Sequence, residues 1–450
     1  MNKDDLSGTT PSKRASVARL AGLLLCAALA GCAAGRPAAG GAPAKPSAVQ
    51  SQSEASVSVS VRVLGDAEAG SMLGVDLAKH DLQAVWLRVV NGSPARLRLL
   101  NGAIDPDLYS ADEAAFLMRH DAGRGGVDAL AQRLRDASMR ILLAPGTASE
   151  GVVFVPRVVG GRYVDVQLLA PGRLHRFGFA VPLPDGDFDF EDVDPSRIYA
   201  GRDLPDLDDA GLRAALENIA CCTTDEAASD EGDPLNLVLV GAPLPALTRA
   251  GWSFTHRIDL KSIEREIGAA ITGRAYPVAP VSPLYALGRK QDVAMQRARE
   301  TLTRRNHMRL WLAPFRHRGR EVWVGQVSRD IGVKMTPKSP TLTTHVIDPA
   351  IDEARAYLLQ SLLTHGLVAR YGFARGAAAA TREAPRANLT DDPFFSDGLR
   401  LVVMLADHAV APAQIEELGW EEPAGPIAEG QSAGARAPVR LVAPPGDPKP

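Results

Sequence analysis

From Val57 to Val63 every second residue is valine, with Ser58, Ser60 and Arg62 between them. Side chains alternate faces along a strand, so this pattern fits a strand with one buried face and one wet face. Further β-rich runs follow at short spacing: 84–90 (AVWLRVV), 96–100, 151–156 (GVVFVP), 162–169 and 175–182. Phe177, Phe179 and Val181 share a face in the last of these. Asn91-Gly92 and Gly160-Gly161 are turn signals, and 96–100 reads as the strand returning from the first. One stretch is helical instead. Ser110 followed three residues later by Glu113 is a capping box, and a second short helix starts at Asp128 after a glycine-rich break. Residues 56–190 are therefore expected to form a β-sandwich with a small helical insert, in which Trp86 fills the core.

After an acidic, turn-rich stretch at 185–195, read as a solvated linker, the periodicity becomes mixed. Asp206 or Asp208 caps a helix carrying Leu212, Ala215, Leu216 and Ile219 on one face. Residues 235–241, 308–313, 321–327 and 401–405 read as strands, 283–288 as extended, and 244–252, 261–271 and 349–363 as helices. The fold class expected for the chain is α+β: an all-β sandwich, then a mixed α+β domain over residues 196–405. Residues 376–393 read as a long loop. The Pro/Gly/Ala-rich end, placed at 421–450, reads as a disordered tail.

The chain has 450 residues, with 50 Lys and Arg against 53 Asp and Glu, a formal charge of −3. That balance does not point to a nucleic-acid partner. Four cysteines are too few for a disulfide framework. The one long apolar run, residues 20–30 (LAGLLLCAALA), is too short to span a bilayer, which takes roughly 20 residues, but suits a signal segment. Lys13, Arg14 and Arg19 precede it, and Leu29-Ala30-Gly31-Cys32 closes it. These residues resemble the lipobox of bacterial lipoproteins. The resemblance implies removal of residues 1–31 as a signal peptide and acylation of Cys32 with palmitate-type chains. It further implies, from Ala33 and Ala34, an outer-membrane address facing the periplasm. Residues 32–55 then read as a flexible tether, with an r.m.s. span of roughly 25–30 Å.

A second resemblance is carried by an ordered series of blocks. They are Cys221-Cys222-Thr223-Thr224, 232–241 (GDPLNLVLVG), 280–285 (PVSPLY), 288–292 (GRKQD), 304–311 (RRNHMRLW), 322–331 (VWVGQVSRDI) and 344–352 (THVIDPAID). They resemble the LssY C-terminal domain family over residues 196 to about 405. Asn306 and Val346 depart from the family pattern, standing where one histidine of a pair is expected. The resemblance implies no particular activity. It implies lipid or lipid-phosphate surroundings, because relatives carry the domain beside membrane segments similar to DedA proteins or type 2 phosphatidic acid phosphatases. The phosphatase signature is absent, since Ser328-Arg329 lacks a histidine at the required spacing.

Several polar residues inside these apolar blocks are candidates for chemistry. His345, Asp348 and Asp352 stand at the start of the 349–363 helix, with Asp330 on a neighbouring strand. Imidazole and carboxylates in that grouping suit an acid–base pair or a divalent cation. Asp348 equally reads as a helix cap with Pro349 at the first helical position, and Asp352 as a first-turn acid. Arg289, Arg304, Arg305, His307 and Arg309, with Asp292 nearby, form a basic group that could hold an oxyanion if the guanidinium groups converge. Arg304 and Arg305 cannot share a strand face. The adjacent Cys221 and Cys222 read as a buried reduced pair. No metal or cofactor is implied. The sequence thus leads to a lipid-anchored envelope protein with a binding or scaffolding role. Its partners would be the membrane, through Cys32, and an envelope protein or lipid-phosphate ligand. The alternative is an envelope hydrolase acting on a phosphorylated or lipid-linked substrate, and whether the chain is an enzyme is left open.

Overall fold

The computed structural model describes residues 48–123, 125–184, 188, 195–256, 280–298, 305–336 and 343–423. The signal segment, Cys32, most of the 32–55 tether, most of the 185–195 stretch, the 261–271 helix and the tail beyond 423 lie outside the described residues. The structure is β-rich, with more strand than helix. Among the described residues no helix is long and apolar enough to cross a membrane.

Eight strands build the first half: β1 (Gln50–Glu54), β2 (Val57–Val63), β3 (Leu82–Asn91), β4 (Leu97–Leu99), β5 (Leu142–Leu143), β6 (Thr147–Pro156), β7 (Gly161–Ala170) and β8 (Arg173–Pro182). They form two four-stranded sheets, ordered β1-β2-β3-β6 and β5-β4-β7-β8. Val57, Val59, Val61 and Val63 face Phe177, Phe179 and Val181 across one apolar layer, as the alternation requires. A second layer lies on the outer face, where helices α1 (Asp66–Leu73), α2 (Ala111–Leu117) and α3 (Gly126–Ala137) cover Ala84, Val152 and Phe154. The Ser110–Glu113 capping box opens α2.

Four expectations are corrected here. Residues 50–54, read as tether, are a strand: they pair with β2, and the Gln50 and Gln52 side chains donate to the Ala180 and Gly178 carbonyls of β8. The helix α1 was not foreseen. Trp86 lies on the outer face, half-buried beside the helical layer with Arg62 5.4 Å from its ring centre. Residues 97–99 do not return beside β3 but cross to the other sheet, pairing with β5 and β7. The buried Asn91 amide directs that crossing by donating to the Ala95 and Ala144 carbonyls at 2.9 and 3.0 Å.

The second half holds β9 (Asp206–Leu207), β10 (Cys222–Thr224), β11 (Glu231–Pro234), β12 (Leu237–Val240), β13 (Ser253–Phe254), β14 (Tyr285–Ala286), β15 (Arg289–Lys290), β16 (Val293–Ala298), β17 (Arg305–His317), β18 (Arg320–Met335), β19 (Thr343–Ile347), β20 (Val368–Arg375), β21 (Arg386–Ala387), β22 (Pro393–Phe394), β23 (Leu399–Leu405) and β24 (Glu416–Glu417). Its helices include α4 (Asp209–Glu217), α5 (Pro243–Arg249) and α6 (Asp352–Thr364). The main sheet runs β13-β16-β17-β18-β12-β23-β20-β24, with β19 on β18 and β9 on β17. At its centre, β12 is buried on both faces, antiparallel to β18 and parallel to β23. Met308, Leu310, Trp323 and Val327 pack beneath α5 and α6. Trp311, Val322 and Val324, on the opposite face, pack with Leu212 and Leu216 of α4. Asp208 caps α4 by accepting the Gly211 amide at 2.8 Å.

The two halves touch along α5, which packs on β7 and β8. A Cβ at Gly161 would stand 2.8 Å from the Phe254 ring, so glycine permits this approach. The fully buried Arg400 ties distant segments together, donating to the carbonyls of Leu216, Ile219, Ala220, Leu235 and Gly376. With no carboxylate partner among the described residues, burial pushes its guanidinium down to about 10.

Candidate functional site

The β17–β18 hairpin changes character along its length. On the face that carries Trp311 opposite Val324, the next cross-strand pairs are Arg309–Gln326 and His307–Ser328. Arg305 and Asp330 lie one step further on the same face. All six of these polar residues are buried. Buried polar groups need partners, and most of these find them in one another. Arg305 Nε donates to Asp330 Oδ2 at 2.8 Å, and its Nη1 reaches Gln296 of β16 at 2.7 Å. Arg309 donates twice to the Ser282 carbonyl and once to Gln326. Gln326 donates to Ser328 Oγ at 2.8 Å, and Ser328 Oγ lies 2.9 Å from His307 Nε2. His307 Nδ1 stands 3.3 Å from Asp330 Oδ1, and His345 Nδ1, from β19, 3.7 Å from Asp330 Oδ2.

The charges follow from these contacts. Burial alone would raise the Asp330 carboxyl, but His307, His345 and Arg305 overcome it and hold it well below the usual range. Burial pushes the His307 imidazole below its ordinary value; Asp330 opposes this, while Arg309 and Arg305 reinforce it. A neutral His307 can accept the Ser328 hydroxyl proton at Nε2; its Nδ1 and Asp330 Oδ1, 3.3 Å apart, are not hydrogen-bonded to each other or to another group among the described residues. Hydroxyl, imidazole and carboxylate follow the order of a proton relay, but the imidazole–carboxylate hydrogen bond that a relay needs is not made. Ser328 itself has no solvent-accessible surface. Asp233 lies close by, its carboxyl raised by burial and accepting from Asn388 at 3.2 Å.

Asp330, His307 and His345 thus come together, with Arg305 and Arg309 in the same row, and Arg289, Asp292, Asp348 and Asp352 are held by other partners. Arg289 forms a two-pronged pair with Asp292 at 2.8 and 2.6 Å and also donates to Tyr199 and the Leu312 carbonyl. That pair braces the turn leading into β16, because Asp292 also accepts the Leu312 amide at 2.7 Å. Arg289, Arg305 and Arg309 therefore bind three separate protein groups and do not converge on an oxyanion. Arg304 lies outside the described residues. Asp348 accepts the Ala350 amide at 3.0 Å but does not cap the helix, which starts at Asp352. Pro349 and Ala350 are drawn into pairing with Phe395, and this delays the helix past the proline. Cys221 and Cys222 are joined by a disulfide rather than reduced, and Cys222 packs against Ile347, Ile351 and Phe394. Its sulfurs and a Glu231 oxygen lie within 4.8 Å of one another, but a disulfide offers no thiolate to a cation.

Asp352 opens onto a different place. Its carboxylate accepts Ser396 Oγ at 2.9 Å and the Asp397 amide at 2.8 Å. Burial raises it, with Arg355 opposing and Asp397 adding to the effect. It lines a cleft of about 560 Å³ between the start of α6 and residues 380–383 and 395–397. Leu359, Phe373 and Phe395 supply apolar walls, and Arg355 lies on the floor, paired with Asp397.

Sequence reasoning missed Ser328, Gln326 and Gln296. Their signal was the alternation Arg305-x-His307-x-Arg309 facing Gln326-x-Ser328-x-Asp330, a polar stripe of strand period within buried strands. The aromatic walls of the cleft left no local signal.

Fold and site together define a β-rich half whose central hairpin carries a buried polar row and whose last long helix borders a cleft. A family model described as LssY C-terminus matches residues 213–399, from within α4 to the first residue of β23, and so supports an LssY C-terminal domain in this part of the chain. Searches of the curated proteins and of the solved structures give no match.

Proposed function

We propose that the chain is a lipid-anchored protein of the cell envelope, tethered through Cys32 at the outer membrane and facing the periplasm, whose C-terminal half binds a small molecule. The anchor rests on the Leu29–Cys32 box. The binding role rests on the cleft at the start of α6, whose volume of about 560 Å³ falls in the range of pockets that enclose drug-sized ligands. Most of its wall surface is apolar, with charged and polar groups set into it that can orient a ligand. Ala356, exposed on α6, lines it. Ligand-observed NMR of the full chain against a fragment set tests the reading. Bound fragments should be lost in Ala356→Trp, which fills the cleft from a surface position. Fragments that bind the variant equally well would place binding elsewhere.

A second reading, hydrolysis of a phosphorylated or lipid-linked substrate, is favoured by the Ser328–His307–Asp330 order. The burial of Ser328 and the commitment of Arg305 and Arg309 to protein groups weigh against it. Labelling by a fluorophosphonate that disappears in Ser328→Ala would reverse the ranking.

A further inference from the structure

We infer that the cleft beside α6 takes a small amphiphilic cation, an apolar or aromatic body carrying one ammonium or guanidinium group; the inference rests on the binding role proposed for that cleft. Four carboxylates line it, Asp352, Glu353, Glu383 and Asp397, against the guanidinium groups of Arg355 and Arg382. Arg355 is locked to Asp397 by two hydrogen bonds, at 2.9 and 2.7 Å. Arg355 also stands 3.5 Å from Asp352 Oδ1, so its one charge is shared between two of the four carboxylates; Glu353 and Glu383, both exposed, have Arg382 as the other cation of the lining. An entering cation meets a favourable potential, and a phosphate or carboxylate an unfavourable one. This is opposite in sign to the lipid-phosphate ligand that the family resemblance implies.

The second observation concerns the walls. The exposed Arg382 already holds its guanidinium 4.3 Å from the centre of the Phe395 ring, and Arg355 lies 5.2 Å from that of Phe373. The aromatic faces of the cleft are thus placed to receive cations. Arg382, on the stretch between β20 and β21, occupies the position that a ligand cation would take.

The test is calorimetric titration of the purified full chain, at constant detergent, with three matched probes: phenylbutylammonium, phenylbutanol and phenylbutyrate. The ammonium should bind about tenfold more tightly than the alcohol, and the carboxylate most weakly. Glu353→Gln with Glu383→Gln should bring the ammonium close to the alcohol and leave the alcohol unchanged. Arg382→Ala, which vacates the Phe395 face and removes a positive charge, should tighten the ammonium several-fold. Ala356→Trp should abolish binding of all three. If the three probes bind equally and Ala356→Trp blocks them, the cleft is a binding site and the charge inference fails. If the carboxylate binds best, the inference is overturned outright. If no probe binds, or Ala356→Trp changes nothing, the binding role of the cleft falls and the inference with it.

Discussion

Replacing Asp330 with asparagine tests whether the polar row is held together by its one buried carboxylate. Arg305 is 3% exposed and Asp330 fully buried, so the pair is shielded from water on every side. Removing one partner from such a pair leaves an uncompensated buried charge, at a cost of about 3–5 kcal/mol. The amide oxygen of asparagine can still accept from Arg305 Nε, and Arg305 keeps Gln296 and the Pro280 carbonyl. The lower end of the range is therefore expected, about 3 kcal/mol. Trp252, Trp311 and Trp323 are buried in the same half of the chain, so urea unfolding can be followed by tryptophan fluorescence. With a slope of ~2–3 kcal/mol/M, the midpoint should fall by about 1 M. The double replacement Arg305→Met with Asp330→Leu removes both charges and should recover most of the loss. A midpoint for Asp330→Asn indistinguishable from wild type, or a double variant no better than the single one, would show that the carboxylate does not balance Arg305.

The depressed His307 carries a pH dependence of definite sign. The unfolded chain takes up a proton near the ordinary value of about 6.5, whereas the folded chain resists it. The stability it contributes is full above that value and is lost as pH falls through the folded value. Urea midpoints measured from pH 7 to 5 should drop, and His307→Gln should flatten the decline; an unchanged slope would refute the assignment. Removal of residues 1–195 should leave a C-terminal half that melts cooperatively but at lower temperature, because Phe254 loses its cover from Gly161. An aggregated fragment without a cooperative calorimetric transition would show that the halves share one core. Cys32→Ser should abolish labelling by radioactive palmitate in growing cells, and wild-type protein that takes up no label would end the proposal of a lipid anchor.

How much could be read beforehand depended on how local the cause was. The valine alternation at 57–63, the Phe177–Val181 face and the Ser110–Glu113 box each carry their own explanation within a few residues, and each is present in the structure. The strand Gln50–Glu54 (QSQSE) has no apolar residue, and what makes it a strand is β2 beside it and the carbonyls of β8. Arg96-Leu97-Arg98-Leu99 looks like a returning strand until the buried Asn91 amide is seen to direct the chain elsewhere. In the candidate site, His307, Asp330 and His345 stood out because charge inside a buried strand needs a partner. Ser328 did not, since serine is unremarkable in any strand. The cleft could not be read at all: its walls come from α6, Phe373, residues 380–383 and 395–397, which become neighbours only through the fold.

The pairing of β12 with β23 has a consequence in time. Leu237 lies beside Leu401, so the central strand of the main sheet waits for a neighbour made more than a hundred and fifty residues later. Arg400, from the same late strand, closes the carbonyls of Leu216, Ile219 and Ala220. No chain that ends before Leu405 can set β12 between both of its full neighbours, and contacts so distant in sequence make for slow folding. A growing chain of this design leaves its main sheet open until its late strands emerge, while the two sheets of the first half, whose strands end at Pro182, wait for none of them.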